Sequence, residues 1–237
     1  MIKVKHIVVT RLAVKWRFKD TKLNWDEWLR DSIKLMDTFC RPSLKNQSTQ
    51  DFTLLSLVDE SVEQYGNVLD NEVILKIKSK EGDYPKKEMV NKINEYVSTL
   101  KDYDYVIVSR IDRDDCLHYR FLELVQLYLS GSGEKYVDLN YSITLSTKTK
   151  TAHDSRKYFN TFVSPFVSTY EKIVNGKIRC ISIINDHDKV SKFLVGKKVN
   201  DLIGIQVIHD NNLKNKIYGK PININYKDYG IHNYSGI

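Results

Sequence analysis

The chain has 237 residues and a formal net charge of +7, with 41% hydrophobic and 28% charged residues. That length suits one α/β domain with a substantial core, and the composition excludes a low-complexity chain. Cys40, Cys116 and Cys180 are odd in number and without a CxxC pair, which excludes a disulfide framework or a structural zinc site and leaves them as buried thiols.

Strand and helix patterns alternate through the first half, the signature of βαβ units and a mostly parallel sheet flanked by helices. His6 to Leu12 reads as the first strand. Asn24 is placed to N-cap a helix from Trp25, in which Trp28, Leu29, Ile33, Leu35, Met36 and Phe39 give a broad apolar face. Arg41 and Pro42 interrupt that pattern, and Lys45 to Gln50 is a polar turn. Phe52 to Val58 is the second strand, ending in Asp59, and Glu72 to Ile77 the third. Pro85 opens a helix running to about Leu100. A strand from Tyr103 to Ser109 follows, then a helix over Leu117 to Leu129 stopped by Gly131, Ser132 and Gly133.

The second half is less regular. Tyr136 to Leu145 reads as one or two strands, Ser146 to Lys157 as a polar stretch, and Pro165 to Val174 as a short helix. Lys177 to Ile184 and Leu202 to His209 read as strands. The pattern gives one domain over 1–222, divided at residue 120, and a tail over 223–237 that is either mobile or an ordered cap.

No apolar run approaches the roughly 20 residues of a membrane span, and the start MIKVKHIVVTRLAV lacks the form of a signal peptide. The expectation is a cytoplasmic protein with no transmembrane segment. The positive charge lies almost entirely after residue 120, in Lys148, Lys150, Arg156 and Lys157, in Lys189, Lys192, Lys197 and Lys198, and in Lys214, Lys216 and Lys220. Such a surface attracts phosphates, nucleic acid or anionic lipid head groups, or serves solubility alone.

The segment from Tyr103 to His118, YDYVIVSRIDRDDCLH, carries the sharpest chemical signal. The run Tyr105 to Val108 is β-branched or aromatic, as in a strand buried on both faces. Asp112, Asp114 and Asp115 crowd its carboxyl end. Clustered carboxylates repel one another, so a divalent cation or a cationic partner neutralises them, or Arg110 and Arg113 pair with them in solvent.

The phrases HIVVTR at 6–11, FCRPSLKNQSTQDFTLLSLVD at 39–59, VSRIDRDDCLH at 108–118, SPFVSTYEK at 164–172 and IQVIHDNN at 205–212 resemble the rhamnosyltransferase family. That family is similar to nucleotide-sugar glycosyltransferases of the GT-A fold, a Rossmann-like architecture. The resemblance runs to about Gly219. It implies a metal-dependent transfer of a sugar from a nucleotide-diphosphate donor to an acceptor hydroxyl, with 1–120 holding the donor and 121–222 the acceptor. Asp114 or Asp115 would bind Mn²⁺ or Mg²⁺, with His209 completing the site. His187 is a rival to His209. Asp112 would face ribose or donor-sugar hydroxyls, Asp59 the nucleobase, Thr10 and Arg11 the nucleotide pocket, and Arg110 the sugar or phosphate. An inverting transfer needs a carboxylate base, for which Glu171, Asp154, Asp186 and Asp188 are candidates.

The acceptor expectation is a glycan, a lipid-linked sugar, or a hydroxymethylated base of viral DNA. DNA would use the basic half, with Tyr141, Tyr158 and Phe159 as stacking surfaces. The alternative function is nucleotide-diphosphate binding or nucleotidyl transfer without glycosyl transfer. Against it, VVTRLAVKWRF lacks the glycine of a phosphate loop after the first strand.

Overall fold

The computed structural model describes residues 2–20, 23–139, 142–155, 164–184, 187–199, 204–209 and 217–232. The apolar runs of the first half become strands of one sheet: β1 (Val4–Ala13), β2 (Thr53–Asp59), β3 (Glu72–Ile77) and β4 (Tyr105–Arg110). β1 lies between β2 and β4, and these neighbours and β3 all run parallel. Alternate residues serve two helical layers, as a sheet buried on both faces requires. Val8 and Leu12 pack toward α1 (Trp25–Leu35), α2 (Arg41–Lys45) and α4 (Phe121–Tyr128). Ile7 and Val9 pack toward α3 (Lys86–Val97) and α5 (Ile181–Ile184).

The start of α1 follows from its sequence. Glu27 N donates to Asn24 Oδ1 at 2.9 Å, and Asn24 N donates to Glu27 Oε2 at 3.2 Å, a reciprocal capping box. The expected interruption at Arg41 and Pro42 does not occur. A π-helical turn, Met36–Cys40, joins α1 to α2, and the Arg41 amide donates to Met36 O. The wider turn accommodates a proline that lacks an amide and crowds the carbonyl four residues earlier.

The large sheet continues as β10-β6-β9-β4-β1-β2-β3, where β6 is Lys135–Leu139, β9 is Val167–Lys172 and β10 is Gly196–Val199. β9 runs antiparallel to both β4 and β6, while the other four neighbouring pairs are parallel, so the sheet is mixed but mostly parallel, as expected. β9 also replaces the short helix expected over Pro165 to Val174. Its Ser168, Thr169 and Glu171 are completely buried, so its polar residues do not mark a solvent-facing side.

The strand expected over Lys177 to Ile184 is a turn followed by α5. Cys180 has φ +54°, which ends extended backbone, and its carbonyl accepts from the Ile183 and Ile184 amides. β-branched residues there serve core packing rather than a ladder.

A second sheet, β12-β8-β7-β11-β5, comprises β5 (Cys116–Leu117), β7 (Ser142–Ser146), β8 (Thr151–Asp154), β11 (Gly204–Ile208) and β12 (Lys220–Ile222). The stretch expected to begin α4 is thus β5, and the polar stretch after Ser146 contains β8. Gly204 lets β11 cross Phe166, whose ring would stand 2.5 Å from a Cβ at that position. The described end of the chain is an ordered cap: Tyr229 and Ile231 are buried against this sheet, and Tyr119 N donates to Asp228 O at 2.7 Å.

Candidate functional site

The order β3-β2-β1-β4 reverses chain direction across the sheet between β1 and β4. Open α/β sheets place ligands at the carboxyl ends of strands at such a switch point. A small cleft lies there, lined by Val9, Arg11, Tyr84, Arg110, Ile111, Asp112 and Ile183. Val9 pairs with Arg110 in register, so Arg11 leaves β1 close to the point where Asp112 leaves β4. A bulge between Arg11 and Ala13 re-aims the end of β1.

Arg11 Nη2 donates to Asp112 Oδ1 at 2.6 Å, and Arg110 Nη2 lies 3.9 Å from Asp112 Oδ2. Burial opposes the Arg11 charge, yet Asp112 and Tyr84 together offset it and hold the guanidinium above its ordinary pKa. Burial also opposes the Asp112 charge, but Arg11 and Arg110 keep its carboxyl well below the usual range. Burial and then Arg11 lower the pKa of Arg110. Two guanidinium groups therefore share one carboxylate at the cleft, an arrangement with unspent attraction for an anion.

Tyr84 closes one wall. Its hydroxyl donates to Ile183 O at 3.0 Å, and its ring meets Trp16 edge-on at 4.9 Å. Sequence reasoning missed both aromatics, which stand in loops and short turns without a motif of their own. Arg113 turns away and stacks over Trp28, 4.6 Å from the ring centre.

Antiparallel pairing of β5 with β11 joins Cys116 to Ile205 and Leu117 to Gly204. Continuing that register carries the acidic segment before β5 alongside the end of β11. Asp115 Oδ1 accepts from Val207 N at 3.1 Å, and His209 Nε2 lies 3.1 Å from Asp114 Oδ2. Asp115 is buried, and its carboxyl is pushed well above the usual range by burial and by Asp114 and Asp112. A carboxylate with an imidazole suits Mn²⁺ better than Mg²⁺, which takes oxygen ligands, commonly one or two carboxylates together with substrate phosphates and water. Asp114 and His209 are the donors that such an ion, shared with a phosphorylated ligand, would use. Among the described residues, no three His, Cys, Asp or Glu side chains form a group that could hold an ion by themselves.

The remaining expected residues lie elsewhere or are committed. Thr10 is buried on the face opposite Arg11, because successive side chains of a strand alternate, and its hydroxyl has no hydrogen-bond partner. It does not line the cleft with Arg11. Asp59 Oδ1 accepts from the Ser61 hydroxyl at 2.5 Å and Oδ2 from the Ser79 hydroxyl at 2.6 Å, with Lys15 Nζ at 2.9 Å. Burial would raise its pKa, but these donors bring it to about 2.

Glu171 is completely buried, and pairs with Val106, four residues before Arg110 on β4. Its Oε1 accepts from the Thr169 hydroxyl at 2.8 Å and the Ile181 amide at 2.9 Å. The fold does not bring Glu171 to the cleft, since four strand residues span roughly 13 Å. Asp154 is on β8, paired in register with Lys220. Asp188 lies in a 3-10 turn, His187–Lys192, that also contains His187. Asp186, Tyr141, Tyr158 and Phe159 lie outside the described residues, as do Arg156, Lys157, Lys214 and Lys216. Among the described residues, no helix is long and apolar enough to cross a membrane.

A search of curated proteins found no match. A family model described as "Putative rhamnosyl transferase" matches residues 17–220, which include the acidic turn, β11 and His209 and leave Arg11 just ahead of the matched region. Because the match spans most of the chain, the protein belongs to this rhamnosyl transferase family, whose name denotes glycosyl transfer.

Proposed function

We propose that this protein transfers a sugar from a nucleotide-diphosphate donor, bound at the carboxyl ends of β1 and β4 in a GT-A-like arrangement, to an acceptor hydroxyl. The observation that carries this reading is the sharing of Asp112 between Arg11 and Arg110 at the switch point. Asp112 orients the guanidinium groups, whose remaining donors meet the diphosphate. Tyr84 bounds the cleft and narrows the approach of water. Asp114 and His209, with Asp115 beside them, would hold Mn²⁺ or Mg²⁺ against the donor. The cation supplies neutralisation of the charge that gathers on the departing diphosphate. Asp59 holds Lys15, Ser61 and Ser79 at the end of β2, and a nucleobase reaching this point would exchange with one of those donors. Asp186 and Asp188 follow α5, whose Ile183 lines the cleft, and are the proposed source of the base that accepts the acceptor proton.

The test is release of nucleoside diphosphate from a panel of nucleotide-diphosphate sugars, rhamnosyl donors included. It is run with Mn²⁺ or a chelator, for the parent and for Asp114→Ala. Metal-dependent release for one donor, abolished in the variant, supports the reading. Release of nucleoside monophosphate instead points to attack on the diphosphate and replaces it with nucleotidyl chemistry. Activity unaffected by chelator and by Asp114→Ala removes the metal from the account.

A further inference from the structure

At the outer edge of the large sheet, Val190 and Leu194 are buried with Tyr136, Val167 and Ile181 in a small apolar cluster. They fix the segment between the His187–Lys192 turn and β10 from beneath. The Phe193 and Leu194 amides donate to Val190 O at 3.0 and 3.2 Å, and Tyr136 N donates to Val195 O at 3.1 Å. Phe193 and Val195 project from this hydrogen-bonded segment with 52% and 85% of their surface exposed.

Single exposed apolar residues are ordinary and mean little. These two stand among four exposed lysines, Lys189, Lys192, Lys197 and Lys198, and Asp188 is the one acidic residue in 187–199. Lys197 Nζ stands 5.1 Å from the centre of the Tyr128 ring, at the end of α4. Protruding apolar side chains ringed by lysines have the chemistry of a peripheral membrane contact. The apolar groups enter the boundary between head groups and acyl chains, and the ammonium groups meet anionic lipid.

We propose that the segment from Lys189 to Lys198 docks this protein on an anionic lipid surface, with Phe193 and Val195 entering the interface and the lysines facing phosphate-bearing head groups. Nucleic acid would engage the lysines, but Val195 offers it neither a ring to stack on nor a polar group, and the surface would remain half used. The order β10-β6-β9-β4 puts β10 three strands from the cleft edge, roughly 14 Å away at ~4.8 Å per strand. The proposal rests on this surface alone and stands independently of the reaction assigned to the cleft.

The test is co-sedimentation of the full chain with phosphatidylcholine vesicles, with and without phosphatidylglycerol at about 30 mol%. The comparison uses Phe193→Ser with Val195→Ser, and separately Lys192→Glu with Lys197→Glu. The parent binds the anionic vesicles only, and each pair of substitutions weakens binding at least about tenfold. Melting temperatures should stay close to the parent's, because all four side chains are exposed. Absence of binding to anionic vesicles, or binding unchanged in both variants, overturns the proposal. Duplex DNA retention or self-association lost in the variants, in a protein that ignores vesicles, overturns it in favour of nucleic acid or a second copy.

Discussion

Arg11 and Asp112 meet at 2.6 Å across 101 residues of sequence, and their ion pair ties the carboxyl end of β1 to that of β4. The same carboxylate faces Arg110, so its removal leaves two guanidinium groups side by side without a counter-charge. Asp112→Ala is expected to weaken binding of a nucleoside diphosphate about tenfold through misplaced arginines. It should cost about 1–2 kcal/mol of stability, less than a fully buried pair, because the Asp112 side chain keeps 37% of its surface. Because the folded-state pKa of Asp112 is depressed, its contribution is present above about pH 4 and fades as pH falls further. Calorimetric titration and urea denaturation at pH 7 and pH 3 check both statements.

Asp115 has the opposite linkage. Its folded-state pKa is raised by burial and by its neighbouring carboxylates, so stability is full below about pH 4 and declines as pH rises through the elevated value. Asp115→Asn retains an oxygen to accept from Val207 N and removes the group whose ionisation burial and the neighbouring carboxylates oppose. The variant should melt several degrees above the parent at neutral pH while losing sugar transfer, a gain in stability at the expense of function. Scanning calorimetry and the release assay, run on the same preparation, check it. A variant that melts lower and stays active would mean that the Asp115 carboxyl is not held at a cost to stability.

His6 provides an independent pH signature. Gln126 Nε2 lies 3.2 Å from His6 Nδ1, His6 Nε2 lies 2.8 Å from Ser109 Oγ, and Ser109 Oγ lies 2.6 Å from Ser168 Oγ. An amide nitrogen only donates, so Nδ1 accepts and Nε2 carries the proton toward Ser109. Burial, then the nearby Lys5, depress the pKa of His6 to about 3. The folded state thus holds His6 neutral, and stability present above pH 6.5 declines as pH falls from there toward 3. Between pH 6.5 and 5 this contributes up to about 1.4 kcal/mol per pH unit, a slope that His6→Gln should flatten.

Much of the frame is written in local sequence, and much of what completes the site is not. β2, β3 and the body of β1 and β4 appear as apolar runs, and the Asn24 and Glu27 capping pair marks the start of α1. β9 is misleading because Ser168, Thr169 and Glu171 break the apolar run of a strand buried on both faces, and the segment reads as a short helix. Glu171 is a candidate base by its place in the phrase SPFVSTYEK and in the second half, and its burial in β9 is set by pairing that the phrase does not show. The acidic turn was legible from the strand ahead of it, but its distribution of roles depends on long-range pairing. Asp112 goes to Arg11, Asp114 to His209 and Asp115 to the Val207 amide, and only the docking of β5 on β11 separates the last two.

Arg41 illustrates the same dependence on distant partners in the core. Its side chain is 2% exposed and makes a bidentate contact with Glu72 at 2.9 and 2.8 Å, while Nη1 reaches Asp37 Oδ1 and Tyr65 O, each at 2.6 Å. Glu72 also accepts from the Ser56 hydroxyl at 2.6 Å and the Leu69 amide at 3.1 Å. Arg41→Ala leaves buried charge without its partner and is expected to cost about 3–5 kcal/mol. Arg41→Lys should recover only part, because an ammonium group cannot reproduce the planar fork. Urea denaturation of the two variants gives the comparison, and equal stability of Arg41→Ala and parent would contradict it.

The arginine pair at the β1–β4 switch point is assigned here to a nucleotide diphosphate. Calorimetric titration of nucleoside diphosphates into the parent and into Arg11→Ala, in the presence of Mn²⁺, tests it most directly. The expected result is one-to-one binding of a particular nucleoside diphosphate by the parent. Binding should weaken at least about tenfold in Arg11→Ala, with the variant's circular dichroism unchanged. Failure of every nucleotide to bind the folded parent, or equal affinity in the variant, would contradict the assignment of this cleft.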